Sequence, residues 1–245
     1  MSQPVRPAIW AALIATVLAI GVLVKLGFWQ LDRAEEKRHL MAQLAQRAEQ
    51  TLHWPLPDWP GEQLAGYRLA GTVEPVTERT LLLDNQTLDG QVGYRWLQPA
   101  RFDGGAWILL DLGFVPVARG DRTLPTLPTL PERLSVSGRL YRPGHNPLNA
   151  HLLPEAGSVT RIQALELAQL SDHWQQPVAP VVWLAEQPEL VGFARSWQPI
   201  NLSPEKHQGY ALQWFGLAVA LVIILLRMIQ IGRLQRSAQA DRLET

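Results

Sequence analysis

From Ala8 to Leu26 the chain carries no charge except Lys25 and no proline after Pro7, and a second run, from Gly209 to Leu226, has only Gln213 as a strongly polar residue. Each offers roughly the 20 apolar residues that a hydrocarbon core of about 30 Å requires. The pattern predicts two transmembrane helices, over residues 8–28 and 207–229, the second beginning at the outer interface. A cleaved signal peptide is the rival reading of the first run. Its apolar core of about 7–15 residues would be followed by small side chains, whereas Lys25-Leu26-Gly27-Phe28-Trp29 follows here. Arg227 is placed to snorkel to the far interface while Met228 to Ile231 prolong the second helix.

After Trp29 no Gly or Pro interrupts the chain as far as Leu52, and Leu40, Leu44 and Ala48 recur at helical spacing. A stalk helix over 29–54 is predicted, ended by Pro55, Pro57 and Pro60. The next region, 55–206, shows short apolar or alternating runs bounded by Gly, Pro, Asn and Asp, the mark of strands. Strands are expected near Tyr67–Val73, Thr80–Asp84, Gly93–Arg101, Ala106–Val115, Leu134–Leu140, Val159–Ile162 and Val178–Leu184. Asp89-Gly90 and Asp103-Gly104-Gly105 are hairpin turn signals. Gln163 to Ser171 suits a short helix, with another strand as its competitor. Proline at every third position in Thr123–Pro131 favours an extended connector. The fold class is a membrane protein with two transmembrane α-helices flanking one β-rich α+β extracytoplasmic domain.

Charge sets the orientation. The tail beyond the second run holds Arg227, Arg233, Arg236 and Arg242 against Asp241 and Glu244, so positive-inside bias puts both tails, 1–7 and 230–245, in the cytoplasm. The central domain then lies outside the cytoplasm, in a periplasm for a bacterium or an intermembrane space for a mitochondrion, and the lack of an Arg/Ser-rich transit peptide before the first run favours a bacterial inner membrane. The 22 basic residues balance the 22 acidic ones, so no long-range attraction to nucleic acid is implied and membrane lipid is the expected surface partner. No cysteine is present, which excludes disulfides and thiol redox chemistry. About 180 residues suffice for one core.

No Gly-x-Ser-x-Gly elbow, His-Glu-x-x-His helix or Gly-rich phosphate loop occurs, so no catalytic residue is assigned and an enzyme is not expected. Asp84, Asn85, Gln86, Asp89 and Gly90 are residues that a hairpin turn selects. His145 and His151, six apart with no third ligand, make a poor zinc pair; His39, His53 and His173 stand alone. Arg119-Gly120-Asp121 matches an adhesion tripeptide too short to carry weight. His207 differs, because it precedes a span and shares a helical stripe with Ala211, Trp214 and Ala218. An imidazole is a usual axial ligand of haem iron, and small side chains beneath it would leave room for a flat macrocycle. Antiparallel spans would bring Gly27, Trp29, Gln30 and Arg33 to the depth of His207, Tyr210 and Trp214. In that arrangement the Arg33 guanidinium, one helical turn beyond Trp29, could hold haem propionates with paired hydrogen bonds. The bland reading is an interfacial aromatic belt, with Arg33 paired to Glu36.

Two clusters, Leu26-Gly27-Phe28-Trp29-Gln30-Leu31-Asp32-Arg33 with Lys37, and His207-Gln208-Gly209-Tyr210-Ala211-Leu212-Gln213-Trp214-Phe215, resemble the signature ends of the surfeit locus protein 1 (Shy) family. Gly71, Asn85 to Tyr94, Trp107 to Pro116, Gly138 to Pro143 and Asn201 fall in the family's order. The resemblance implies an assembly factor for a haem-copper cytochrome c oxidase, aiding delivery of haem a to the catalytic subunit or its retention there, with His207 the candidate ligand and haem a synthase a further partner. Around that ligand Trp214 and Tyr210 are expected to form the pocket wall, and Arg33 with Gln30 a polar rim for propionates. The chain departs from the family at Leu110–Pro116, where the usual arginine is missing, and the regions 145–149 and 151–156 match loosely. A scaffold that holds oxidase subunits without touching haem is the alternative. A sensory module is the third class, and the tail of about 14 residues after Ile231 argues against it.

Overall fold

The computed structural model describes residues 7–102, 105, 107–118, 120, 123–144, 152, 159–188, 193–197, 199–200 and 202–241, with the backbone alone for 7–9 and 234–241. Arg119, Asp121, His145, His151, Asn201 and most of the Asp103-Gly104-Gly105 turn therefore lie outside the described residues. The chain divides into two compact units, Met1–Leu40 with Ile200–Thr245, and Met41–Pro199.

The first unit is made of two long helices. Helix α1 runs over Pro7–Ala48 and α4 over Pro204–Asp241. Both are long and apolar enough to cross a bilayer, and only 6% of each apolar window is buried. Such continuous exposed apolar surface is foreign to a protein wholly surrounded by water. Two long apolar helices thus flank a sheet-rich domain. The stalk predicted to 54 ends earlier, at Ala48. Thr51–Leu52 leave the helix to form strand β1, paired in parallel with Arg68 and Leu69, because the Gln50 carbonyl already accepts from the Arg68 amide at 3.0 Å.

Within the second unit, α2 (Gly61–Leu64) is followed by β2 (Arg68–Pro75), β3 (Thr80–Leu88), β4 (Gln91–Arg101), β5 (Trp107–Pro116), β6 (Leu134–Tyr141), β7 (Val159–Ile162), α3 (Leu167–Trp174) and β8 (Val178–Gln187). All seven predicted strands form. Asp89 and Gly90 both take positive φ, 49° and 79°, the requirement of the tight hairpin turn that joins β3 to β4. The short helix is displaced to Leu167–Trp174. Gln163 instead spends its amide on Asp84 (3.1 Å) and Asn85 (2.9 Å), and Gln175 stops the helix in the left-handed region at φ 52°. The residues of 123–131 form no regular element.

One mixed sheet has the order β1-β2-β6-β8-β5-β4-β3-β7, and a further pairing of Glu74 with Arg101 and Pro75 with Ala100 returns β4 to β2. Five strands (β2, β6, β8, β5, β4) thereby close on themselves. Period-two alternation sends β8 into two cores: Val181, Trp183 and Ala185 into one, Val182 and Leu184 into the other. The same split places Ile108, Leu110 and Leu112 of β5 opposite Trp107 and Leu109. A strand apolar on both faces is what such double burial requires. In the first core Trp54, Phe102 and Trp183 stack in series, with centroids 4.1 and 5.8 Å apart. The second lies under α3, which turns Leu170 and Trp174 inward. Where β6 meets β8, a Cβ on Gly138 would stand 1.8 Å from the Leu184 carbonyl oxygen, so no larger residue fits there without parting the strands.

Candidate functional site

Helix α4 starts from Ser203, whose carbonyl accepts from the amides of Lys206 (3.1 Å) and His207 (3.3 Å). Pro204 holds the first helical position, where its missing N–H costs nothing. From there one seam of the helix, His207, Ala211 and Ala218, is buried. On α1 the matching seam is Gly27, Gln30 and Ala34, at helical offsets of three and four. A Cβ on Gly27 would stand 2.5 Å from the Phe215 ring, and Phe28 meets that ring edge-on at 5.3 Å. Small side chains let the two backbones approach. Ala211, one turn beneath His207, is 1% exposed, so the seam below the imidazole presents no open slot.

At the head of this seam the His207 imidazole lies 2.7 Å, Nδ1 to Oε1, from the Gln30 side chain. The imidazole is 9% exposed. Its Nε2 makes no hydrogen bond to a described residue and is not among the wholly buried unpaired side-chain atoms. One ring nitrogen is engaged, and the other has no hydrogen-bond partner among the described residues. That donor set suits a single axial bond to a haem iron, which needs one imidazole nitrogen with a free lone pair. Among the described residues no group of three or more His, Asp or Glu is placed to hold a bare metal ion.

The six residues singled out from the sequence divide into two groups. His207 and Gln30 meet, with Trp214 half-buried on the same helix. Trp29 is exposed, and the Arg33 guanidinium sits 5.7 Å above its ring while binding the Glu36 carboxylate at 2.5 Å. Tyr210 is 44% exposed. Trp29, Arg33 and Tyr210 therefore lie outside the helix seam that holds His207.

One polar cluster in the second unit went unread in the sequence. Asp111, with no exposed surface, sits mid-strand in β5 and accepts from the Tyr141 hydroxyl (2.7 Å) and the Gly113 amide (3.0 Å), with the Arg95 guanidinium at 3.1 Å. Arg95 also donates to the Ser196 carbonyl at 2.5 Å. Burial pushes the Asp111 carboxyl above the ordinary carboxylate value, against the pull of Arg95, Tyr141 and Gly113. Burial, and then the Asp111 charge, lifts the Tyr141 hydroxyl well above its usual value, so it stays a donor. Arg95 and Tyr141 edge a cleft of about 280 Å³ that Gln86 and Gln163 also line. Asp111 is paired within the trio and Arg95 is shared between Asp111 and the Ser196 carbonyl, so the cluster ties β4, β5 and β6 together. A lone Asp in the otherwise apolar run Trp107–Pro116 was its signal, since a buried carboxylate must be paired.

Comparison with known proteins adds two findings. No curated protein matches the chain. The SURF1 family model matches it over residues 17–219.

Proposed function

The chain belongs to the SURF1 family, known as cytochrome oxidase assembly factors, and from that membership we propose that it serves haem a delivery to, or retention in, the catalytic subunit of a haem-copper cytochrome c oxidase. The observation that carries this reading is the His207 imidazole, engaged at Nδ1 and without a hydrogen-bond partner at Nε2 among the described residues. Both helices cross the bilayer in opposite directions. The Gln30–His207 bond supports that arrangement, because it joins the C-terminal end of the first apolar run to the start of the second. The arginine-rich tail orients both ends to the cytoplasm of a bacterial inner membrane. The β domain and the His207 site then face the periplasm.

On this reading haem a is cargo and the chain is not an enzyme. Iron at its centre accepts one nitrogen lone pair when bound. His207 offers Nε2 at the height of the headgroups. Trp214, two turns further along the same helical stripe, supplies a partly buried indole. Arg33 serves as a propionate partner only by leaving Glu36. Partners are the oxidase catalytic subunit and, upstream, haem a synthase.

Purification of the full chain from cells that make haem a tests this reading. The wild-type protein is expected to carry a haem a absorption band that His207→Ala loses. A band unchanged in His207→Ala removes the ligand assignment, and a haem-free wild-type protein that still copurifies with an oxidase subunit replaces it with a scaffold that never touches haem.

A further inference from the structure

We infer that Gln30 is a positioning residue that holds His207 in the tautomer with its proton on Nδ1, leaving the Nε2 lone pair outward. Glutamine Oε1 only accepts hydrogen bonds, and a neutral imidazole has one donor and one acceptor nitrogen. With Oε1 2.7 Å from Nδ1, the proton belongs on Nδ1. This distance is at the short end for an N–H···O bond. The proton position of a histidine is set by the bond its other nitrogen makes.

The surroundings make that bond obligatory. His207 is 9% exposed and Ala211, one turn on, is 1% exposed. Gly27, one turn before Gln30, admits the Phe215 ring where any Cβ would collide. The two backbones are thereby drawn close enough for the side chains to meet. Where water is scarce, an engaged hydrogen bond is electrostatically stronger and an unengaged donor more costly. Gln30 is thus assigned to the imidazole itself and not to a propionate rim.

The consequence for cargo binding rests on the proposed role of His207; the tautomer does not. A group that orients a ligating imidazole also raises its basicity, and its loss typically weakens metal binding by about 10–100-fold.

Two measurements separate the claims. The first is long-range ¹⁵N–¹H NMR of the haem-free full chain, labelled at histidine, in detergent micelles at a pH where the ring is neutral, with His207→Ala identifying the resonance. Wild type is expected to show a protonated Nδ1 and a bare Nε2, Gln30→Leu to move the proton largely to Nε2, and Gln30→Glu, which keeps an acceptor, to retain it on Nδ1. A wild-type proton on Nε2, as a reversed amide would give, or a tautomer unchanged in Gln30→Leu, overturns the inference. Far-ultraviolet circular dichroism and retention of the Gln30→Glu pattern guard against a misfolded variant. The second is haem a titration of the same proteins, with binding about 10–100-fold weaker expected in Gln30→Leu. If the tautomer responds but His207→Ala binds haem as wild type does, the Gln30 assignment stands and the ligand reading falls. If His207 ligates and the tautomer ignores Gln30, the reverse holds.

Discussion

Replacement of Arg95 by leucine is expected to destabilise the β domain by about 3–5 kcal/mol, the usual cost of stranding one member of a buried ion pair. Asp111 has no exposed surface and faces Arg95 at 3.1 Å. Without the guanidinium the Tyr141 hydroxyl and the Gly113 amide remain to it as hydrogen-bond donors, with Arg195 as the other nearby positive charge. The double substitution Arg95→Leu with Asp111→Leu should recover most of the loss, since apolar residues of similar size often replace a buried pair at little cost. The sign of the pH dependence follows from burial, which already raises the Asp111 carboxyl. A carboxyl raised in the folded state favours folding when protonated. That contribution is complete below the unfolded value of about 3.9 and is lost as pH rises through the folded one. The Arg95→Leu deficit should therefore narrow on acidification and widen toward neutral pH. Urea titration of the full chain in detergent, followed by tryptophan fluorescence at several pH values, measures both effects. A deficit that grows with acid would contradict the assignment.

Trp183→Ala is expected to cost about 3–5 kcal/mol by the same measurement, the range for deleting a large buried aromatic. Trp183 has no exposed surface, lies on β8 within the closed ring of strands and stacks on Phe102, which stacks in turn on Trp54. Its removal opens a void bounded by the backbone of several strands, where little can collapse inward. Trp183→Phe should cost much less. It keeps a stacking ring, and the indole Nε1 that it discards has no hydrogen-bond partner. Equal losses in the two variants would show that the indole nitrogen matters in a way its surroundings do not account for.

How far the fold was legible varies with the range of the forces involved. The long helices and seven strands are written in local periodicity and turn chemistry, as at Asp89-Gly90. The closure of five strands through Glu74 and Arg101 was not legible, because it joins residues 27 positions apart through backbone pairing and an exposed side-chain contact that no local pattern announces. Strand β1 was hidden for a similar reason: Thr51 and Leu52 look like the end of a helix until Arg68 and Leu69 pair with them. At the site, the polar and aromatic residues near the helix ends were visible, as was the Arg33–Glu36 pair, but the partner of His207 was not. Whether Gln30 faces Arg33 or His207 depends on how α1 rotates against α4, and Gly27 and Ala34 settle that rotation by being small. Asp111 was legible in principle, as one charge in an apolar strand, while its partners Arg95 and Tyr141 lie on other strands.

The central claim is that His207 binds haem a through Nε2. The most direct test is the absorption spectrum of haem a bound to the full chain, to His207→Gly, and to His207→Gly with added imidazole. Wild type is expected to give a histidine-ligated spectrum, the glycine variant to lose it, and added imidazole to restore it. An identical spectrum in wild type and His207→Gly, without imidazole, would contradict the claim.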